Sequence, residues 1–533
     1  MEGFSQKLSK LLQKAVKEEF NIEVCPPYWE LPSKQEFGDL STAAALRLAS
    51  TLKKPPMEIA ERIKGFLKEE SGSDISKVEV LKPGFINVFI SNQTLINFLN
   101  DLLRDKDSFF RKNIKRKIII EFCSANPTGP LSIAHGRQAV IGDTIANILD
   151  FFGNEVEREY YINDAGRQID LLMSSVEAWL NVKDGQEPDI PEGGYKGDYI
   201  KSIAGSYLNN KKKENLKEFV LSFVLNLIKK DLSDLGVSFK NWVSQSNIIN
   251  GGFVEGAIEH LNKKGLLYEE EGALWFLSTE AGDDKNRVIK KNDGELTYFA
   301  SDIAYHIDKL KRGPSQLINL WGPDHHGYIG RVKAAIEALG YQRDILQIII
   351  IQLVSLKTKE RMSRRKGTAL LLSDLVSDVG KDAARFYYLT RRNSSHLEFD
   401  IDLAKESSVN NPLYYIQYAC ARIESIFKKA DILDYKPDFK SNEFIKDEEE
   451  LVLLRTLMQF YYCLEKSYYS YEPVFIVDYL KSLAGSLHKF YERKKVLGEK
   501  KEVTYARLNL LCATKIVLQC ALNILGITPA RQM

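Results

Sequence analysis

Two acidic side chains and one aromatic ring are spaced so that together they could bind a cation. Tyr298 and Asp302 lie four residues apart in "ELTYFASDIAYHIDK", and this spacing puts both side chains on one face of a helix. Glu121, in the short apolar run "KIIIEFC", adds a second carboxylate. Because a planar guanidinium is best met by carboxylate acceptors, this set favours a guanidinium ligand. Each residue alone could equally have an ordinary structural partner.

A lone histidine stands where a helix is predicted to begin. His135 lies in "ANPTGPLSIAHGRQAVIGD", between a turn-rich loop and a helical pattern of apolar residues. Free backbone N–H groups and the helix dipole favour phosphate at such a position. An imidazole there could stabilise charge on a nucleoside triphosphate. The alternative is a histidine that caps the helix or packs in the core.

A cluster of cations follows another apolar run. The segment "KERMSRRKG" (359–367) comes after the run that ends near Leu356, and Ser363 and Gly367 give it the composition of a shaped loop. Such a loop could close over a triphosphate and stabilise pyrophosphate as it leaves. The alternative is a basic loop that is merely solvated.

A third segment, "WGPDHHGYIGR" (321–331), also follows an apolar run. Gly322 and Gly327 allow close approach of a ligand to the backbone, and Asp324 could accept hydrogen bonds from ribose hydroxyls. Two histidines are adjacent here, but adjacent side chains point apart and no carboxylate has a suitable spacing. The segment therefore predicts no metal site.

These segments would meet in a parallel sheet. The runs "KIIIEFC" and "EVEREYYIN" read as strands on either side of a helix, which is a βαβ unit. The runs "SQLINLWG" and "DILQIIIIQLVSL" read as two more buried strands with a helix between them. The pattern predicts a doubly wound, Rossmann-like α/β domain, in which ligands bind at the carboxyl ends of the strands.

The rest of the chain divides into two flanking parts. Residues 1–110 predict a small N-terminal α/β domain, and residues 111–399 contain the sheet, with an insertion near 182–217. Residues 400–533 show long helical patterns and predict an all-helical C-terminal domain, whose last helix is apolar nearly all round and therefore central.

Composition limits the class of protein. The chain has 533 residues and a net charge of +2, so any surface for nucleic acid must be a local patch. Its six cysteines form no CxxC pair, which favours a reducing cytoplasm over a disulfide framework. No apolar run reaches membrane-spanning length, and we expect no membrane partner.

Taken together, the motifs resemble those of one enzyme family. "EFCSANPTGPLSIAHGR" is similar to the first signature of class I aminoacyl-tRNA synthetases in its arginyl form, and "RMSRRKG" is similar to the second. "YFASDIAYH" and "WGPDHHGYIGRVKAA" also resemble segments of arginyl-tRNA synthetases. "GDLSTAAALRLASTLKKPPMEIAERI" resembles the family's N-terminal domain, and "YARLNLLCATKIVLQCALNILGITPARQM" its C-terminal helical domain. The resemblance covers nearly the whole chain, in order.

The resemblance implies a reaction and its partners. Arginine and ATP would form arginyl-adenylate and pyrophosphate, and the arginyl group would then pass to the 3'-terminal adenosine of tRNA(Arg), with release of AMP. Mg²⁺ would accompany the ATP. The C-terminal domain would bind the anticodon stem-loop and the N-terminal domain the tRNA elbow. Arginine activation would need tRNA to be present. We expect a cytoplasmic monomer.

The resemblance also assigns residues to roles. Arginine would contact Glu121, Asn126, Tyr298, Asp302 and His325, with Asp302 on the guanidinium and Glu121 or Asn126 on the α-amino group. ATP would contact Pro127, Gly129, His135, Gly136, Gly322, Asp324, Met362 and Ser363. The catalytic set would be Ser132, His135, Arg361 and Arg364.

Two departures from the family pattern leave alternatives open. The first signature normally carries two histidines and a glycine, but Ser132 and Ala134 replace one histidine and the glycine here. In the second signature, Arg361 and Arg364 replace lysines, which keeps the charge but changes the shape of the donor. The alternatives are a tRNA-binding protein without activity and a class I ligase for another amino acid.

Overall fold

The computed structural model describes residues 4–23, 29–32, 34–182, 186–210, 215–357, 371–430 and 435–533. Arg361, Met362, Ser363 and Arg364 of the second signature lie outside these residues, so their roles stay predictions.

The N-terminal part has a core of its own. Its elements are α1 (Phe4–Phe20), β1 (Leu40–Thr42), α2 (Ala44–Leu52), α3 (Pro56–Glu70), β2 (Ile75–Leu81), β3 (Phe85–Ile90) and α4 (Asn92–Asp105). β3 pairs antiparallel with both β1 and β2. The helices pack on this sheet around buried residues such as Leu12, Ile59 and Val88. Helix α4 instead packs against the C-terminal helices.

The central part contains the predicted parallel sheet. Its first half consists of β4 (Lys117–Glu121), α5 (Ile133–Phe151), β5 (Glu155–Ile162), α6 (Arg167–Leu180), α7 (Asp198–Leu208), α8 (Leu216–Asp234), β6 (Asn241–Ser244), α9 (Gln245–Asn250) and α10 (Phe253–Lys263). Its second half consists of β7 (Leu267–Glu270), β8 (Ala273–Phe276), β9 (Arg287–Lys290), α11 (Tyr298–Lys311), β10 (Gln316–Trp321), α12 (Ile329–Ala338), β11 (Leu346–Ile350), β12 (Val354–Leu356), α13 (Leu372–Val379), α14 (Lys381–Tyr388) and β13 (Leu397–Phe399).

The strand order explains where a ligand would bind. Five parallel strands lie in the order β11–β10–β4–β5–β6, which confirms the doubly wound sheet. Chain order runs outward in one direction from β4 to β5 and β6, and in the other from β10 to β11. The carboxyl ends of β4 and β10 therefore meet at the point where the order reverses, and crevices for ligands form at such points. The strands β7–β9 form a separate antiparallel sheet.

The C-terminal part is helical, as predicted, and shares a core with the sheet domain. Its helices are α15 (Ile401–Lys405), α16 (Pro412–Lys429), α17 (Glu448–Ser470), α18 (Val474–Arg493) and α19 (Lys501–Ile524). α17 and α19 pack on α5. Asn147 donates to the carbonyl of Ile524 at 3.0 Å, and Arg385 donates to the carbonyl of Leu525 at 2.8 Å. Removing this part would expose the hydrophobic core of the sheet domain.

Within the described ranges, the structure contains no helix with the length and apolarity needed to cross a membrane.

Candidate active site

Hydrogen bonds at the start of α5 fix the state of the His135 ring. The backbone amide of Ser132 donates to Nδ1 of His135 at 3.2 Å, and the Ser132 hydroxyl oxygen lies 3.0 Å from the same nitrogen. Burial lowers the pKa of His135, so the ring is neutral at neutral pH. An amide can only donate, so Nδ1 accepts and the ring proton resides on Nε2. His135 therefore offers an N–H donor at the N-terminus of α5.

The loop before α5 is held from several sides. The carboxylate of Asp231 accepts a hydrogen bond from the amide of Leu131 at 3.0 Å, and the hydroxyl of Tyr388 donates to the carbonyl of Ile133 at 2.9 Å. A Cβ on Gly136 would lie 2.5 Å from Leu372 and 2.8 Å from the Tyr388 hydroxyl. Protein packing thus accounts for the glycine at 136, and its predicted contact with ATP stays a prediction.

The insertion helix α7 supports the turn-rich part of the loop. Tyr199 donates to the carbonyl of Thr128 at 2.7 Å, and a Cβ on Gly129 would lie 2.9 Å from the Tyr199 ring. Pro127 is buried beside them. The side chain of Asn126 is half-exposed and donates to Gln168 at 2.6 Å. Asn126 is thus only partly enclosed by the protein, and its predicted contact with arginine stays a prediction.

Glu121 is paired inside the protein. Its carboxylate accepts from Nζ of Lys309 at 2.6 Å and from the hydroxyl of Ser124 at 3.1 Å. Lys309 is fully buried and also donates to Asn319 at 3.1 Å. A cationic ligand at Glu121 would have to share this carboxylate with Lys309. Sequence reasoning missed Lys309, because the helical pattern does not tell which lysine of a helix is buried.

Asp302 is the carboxylate best suited to receive a cation. It lies in the second turn of α11, and burial together with the charge of Glu121 raises its pKa to about 7. Nearby Arg331 and Lys309 oppose this shift. Among the described residues, its carboxylate forms no hydrogen bond or ion pair. Asp302 is half-buried, and an unpaired carboxylate that is partly removed from water is unfavourable unless a cation joins it.

Tyr298 is exposed at the start of α11. It is the first residue of α11, after the N-cap Thr297, and is 63% exposed. A Cβ on Gly166 would lie 3.0 Å from its hydroxyl, which places the ring beside the loop that follows β5. The helix over 298–311 confirms that Tyr298 and Asp302 are one turn apart, with Asp302 deeper.

A second residue that the motifs did not include lines this region. The ring of Tyr161, near the end of β5, stacks on Tyr305 with centroids 4.2 Å apart. Tyr305 in turn donates to Glu159 at 2.8 Å, and Arg312 binds the same carboxylate through two nitrogens, at 2.5 and 3.0 Å. The sequence "EREYYIN" held an indication of this position, because Tyr161 is near the carboxyl end of a predicted strand, and ligands bind at that end of a parallel sheet.

The segment after β10 is more exposed than the rest. Asp324 and His325 pair with each other at 3.3 Å, and their side chains are 76% and 54% exposed. A Cβ on Gly322 would lie 2.5 Å from the Asp324 carboxylate. In the residues that the structure covers, no group of three or more histidine, cysteine or acidic side chains is arranged to hold a metal ion. The predicted contacts of Gly322, Asp324 and His325 with ligands stay predictions.

Three family models match successive parts of the chain. They are described as the arginyl tRNA synthetase N-terminal domain, over residues 4–90, the catalytic domain of class I tRNA synthetases (R), over 98–398, and the DALR anticodon binding domain, over 416–533. The order of these matches agrees with the order of the structural parts.

Relatives of known name match along nearly the whole length. The arginine–tRNA ligase of Thermotoga maritima is 40% identical, with 99% of each chain covered. That of Bacillus subtilis is 42% identical, with 95% of this chain and 94% of the other covered. The structure of Thermus thermophilus arginyl-tRNA synthetase superposes with a TM-score of 0.81 at 20% identity, with 99% of this chain and 100% of the other covered, which supports the fold.

Proposed function

Since the chain belongs to the arginyl-tRNA synthetase family, we propose that it is an arginine–tRNA ligase whose crevice between β4 and β10 binds arginine and ATP. The reaction joins arginine to ATP as arginyl-adenylate, with release of pyrophosphate. The arginyl group then passes to the terminal adenosine of tRNA(Arg), with release of AMP. The observation that carries the proposal is Asp302, a half-buried carboxylate on α11 that has no hydrogen-bond or ion-pair partner among the described residues and whose pKa is raised to about 7.

The arginine side chain would enter past Tyr298 and place its guanidinium on Asp302. A guanidinium is always charged and has donors in a fixed plane, so it can satisfy a carboxylate with two hydrogen bonds. Glu121 or Asn126 would hold the α-amino group, and His325 would stand at the exposed rim. These positions leave the arginine carboxylate directed towards the start of α5.

The attack on ATP requires hydrogen-bond donors to the phosphate oxygens more than it requires a general base. The arginine carboxylate attacks the α-phosphorus in line and pyrophosphate leaves, so negative charge grows on the phosphate oxygens. The Nε2–H of His135 would donate to these oxygens, and the free amides at the start of α5 would add to this field. Pro127, Gly129 and Gly136 would shape the loop beside the nucleotide, while Gly322 and Asp324 would bind the adenosine. Mg²⁺ would accompany ATP, held mainly by phosphate oxygens and water.

The second signature would act on the same phosphates. We propose that Arg361 and Arg364 neutralise the leaving pyrophosphate, with Met362 and Ser363 beside the nucleotide. Ser132 would contribute through His135, because its hydroxyl oxygen lies 3.0 Å from Nδ1.

One experiment separates this proposal from its alternatives. Purified protein is incubated with tRNA, ATP and radiolabelled arginine, lysine or citrulline, and charged tRNA is counted. We expect charging with arginine alone. Binding of tRNA without charging of any amino acid would support a tRNA-binding protein without activity, and charging with another amino acid would support a different specificity.

Aromatic and cationic side chains form a half-exposed face on the C-terminal helices. The rings of Tyr414 and Tyr418 on α16 are nearly parallel with centroids 6.4 Å apart, and Tyr418 stacks on His488 of α18 at 5.5 Å. The guanidinium of Arg422 lies 3.8 Å from the centre of the Tyr491 ring. Flat rings beside a cation suit stacking of unpaired bases. This face is proposed to bind the anticodon loop, with the N-terminal domain on the tRNA elbow.

We expect Arg422→Met to weaken tRNA binding about tenfold and to reduce its dependence on salt, since one cation and one stacking surface are lost. Filter binding at several salt concentrations measures both effects. Arg343→Met is the control for loss of one cation, because Arg343 lies in the sheet domain and pairs with Glu337 at 3.4 Å. Equal affinity of the Arg422 variant and the wild type would place the anticodon elsewhere.

Arginine affinity should depend on pH through Asp302. Its pKa of about 7 in the free protein means that the carboxylate is protonated below pH 7, whereas guanidinium binding requires the ionised form. We therefore expect affinity to fall as the pH drops below 7, approaching tenfold per pH unit, and to level off above pH 8. The arginine KM measured from pH 5.5 to 8.5 gives this profile. A KM that is constant across this range would exclude Asp302 as the partner.

We further propose that the enzyme works as a monomer in the cytoplasm. The free, buried thiols of Cys123, Cys420 and Cys463 are compatible with a reducing compartment. Sedimentation of the purified protein, with and without tRNA, tests the oligomeric state.

A further inference from the structure

The hydroxyl of Tyr161 is buried without a partner among the described residues. Two contacts hold Tyr161 in place. Its ring stacks on Tyr305, and its backbone amide donates to the hydroxyl of Ser124 at 3.1 Å. A buried polar group without a hydrogen bond destabilises the folded state, and phenylalanine would supply the same ring without this cost. The hydroxyl therefore calls for an explanation other than packing.

The charges that act on this hydroxyl are those of the candidate arginine pocket. Burial raises the pKa of Tyr161, and the carboxylates of Asp302, Glu121 and Asp164 raise it further. Asp164 already accepts from Ser244 at 2.6 Å. Two of these three carboxylates are thus satisfied inside the protein, since Glu121 is paired with Lys309.

Asp302 is the acid that remains, and the helix geometry brings it to the same place. Asp302 and Tyr305 are three residues apart on α11, so their side chains are neighbours on one face of the helix. The ring that stacks on Tyr305 is therefore next to Asp302. The stacking thus brings the unpaired hydroxyl of Tyr161 into the region of the unpaired Asp302 carboxylate, in agreement with the effect of the Asp302 charge on the pKa of Tyr161.

We propose that Tyr161 is a specificity-determining residue for arginine, with its hydroxyl oxygen accepting a hydrogen bond from the guanidinium that Asp302 neutralises. A guanidinium has five N–H donors, and a carboxylate on one edge can take only two of them. The hydroxyl of Tyr161 provides an acceptor for one of the others. This inference rests on the proposed function, because it takes arginine as the substrate.

Tyr161→Phe tests the proposal, because it removes only the hydroxyl and keeps the stacking on Tyr305. We expect the arginine KM to rise about tenfold, the size expected for one lost hydrogen bond to a charged group, while the ATP KM and kcat at saturating arginine stay unchanged. Thermal unfolding should occur at the same or a higher temperature, since an unpaired buried hydroxyl has been removed. A residue with only a structural role would not weaken binding while leaving stability intact.

The matched control is Tyr479→Phe on α18, which also removes a buried hydroxyl without a partner among the described residues. We expect the same effect on unfolding and no effect on the arginine KM. If Tyr161→Phe leaves the arginine KM unchanged while Asp302→Asn raises it, the inference about Tyr161 is wrong and the proposed function stands. If the wild-type protein does not charge arginine, the proposed function itself fails.

Discussion

Asp302→Asn should raise the arginine KM by a factor of about 30 to 5000 and leave the ATP KM almost unchanged. The range corresponds to about 2 to 5 kcal/mol, the cost of leaving a bound cation without its charged partner in a site removed from water. Asparagine has nearly the shape of the carboxylate, so the loss reports charge and not packing. The measurement is initial-rate charging of tRNA over a wide range of arginine concentrations.

The unfolding temperature of Asp302→Asn provides a check that the variant is folded. The raised pKa of Asp302 shows that its ionised form is unfavourable in the free protein, so asparagine should not lower the unfolding temperature. Asp308→Asn is the matched control, since Asp308 lies on the same helix and already pairs with a cation of the protein, Arg312, at 3.1 Å. Normal charging by Asp302→Asn, or an equal defect in both variants, would show that the guanidinium binds elsewhere.

The parts of the site that follow from local pattern were predictable. The run ending at Glu121, the helix after His135 and the strand "EVEREYYIN" form the predicted βαβ unit, because buried strands and amphipathic helices carry distinct periods. The spacing of Tyr298 and Asp302 also fixed their common helix face. Each pattern predicts whether a segment is a helix or a strand and which of its faces is apolar.

The partners of these residues could not be predicted in the same way. Lys309 and Glu121 are 188 residues apart in the chain, and their contact depends on how α11 lies on β4. The helical pattern of "YFASDIAYHIDKLK" gives no reason to bury Lys309 completely. Tyr161 likewise reads as an ordinary strand residue until its hydroxyl is found without a partner. Charge pairs and unpaired groups are properties of tertiary packing, which a single sequence does not specify.

The contacts of Ser132, which replaces a histidine of the first signature, could be found only in the structure. From the sequence, Ser132 reads as a shorter donor that would need a water to reach a phosphate. In the structure it lies against Nδ1 of His135, so the residue that departs from the family pattern supports the histidine that remains. We therefore expect His135 to contribute more to catalysis than Ser132.

His135→Ala should lower kcat about a hundredfold or more, with little change in the KM values, because an N–H donor that acts mainly in the transition state is lost. Ser132→Ala should have a much smaller effect, since the backbone amide that holds Nδ1 remains in place. Single-turnover formation of arginyl-adenylate, measured with tRNA present, isolates the step concerned.

His260→Ala, on the exposed end of α10, is the control for loss of an imidazole. If Ser132→Ala is as slow as His135→Ala, the serine is itself a catalytic donor and the ranking is wrong. If neither variant is slow, charge on the phosphates is stabilised by other groups, and the role given to the His135 side chain is excluded.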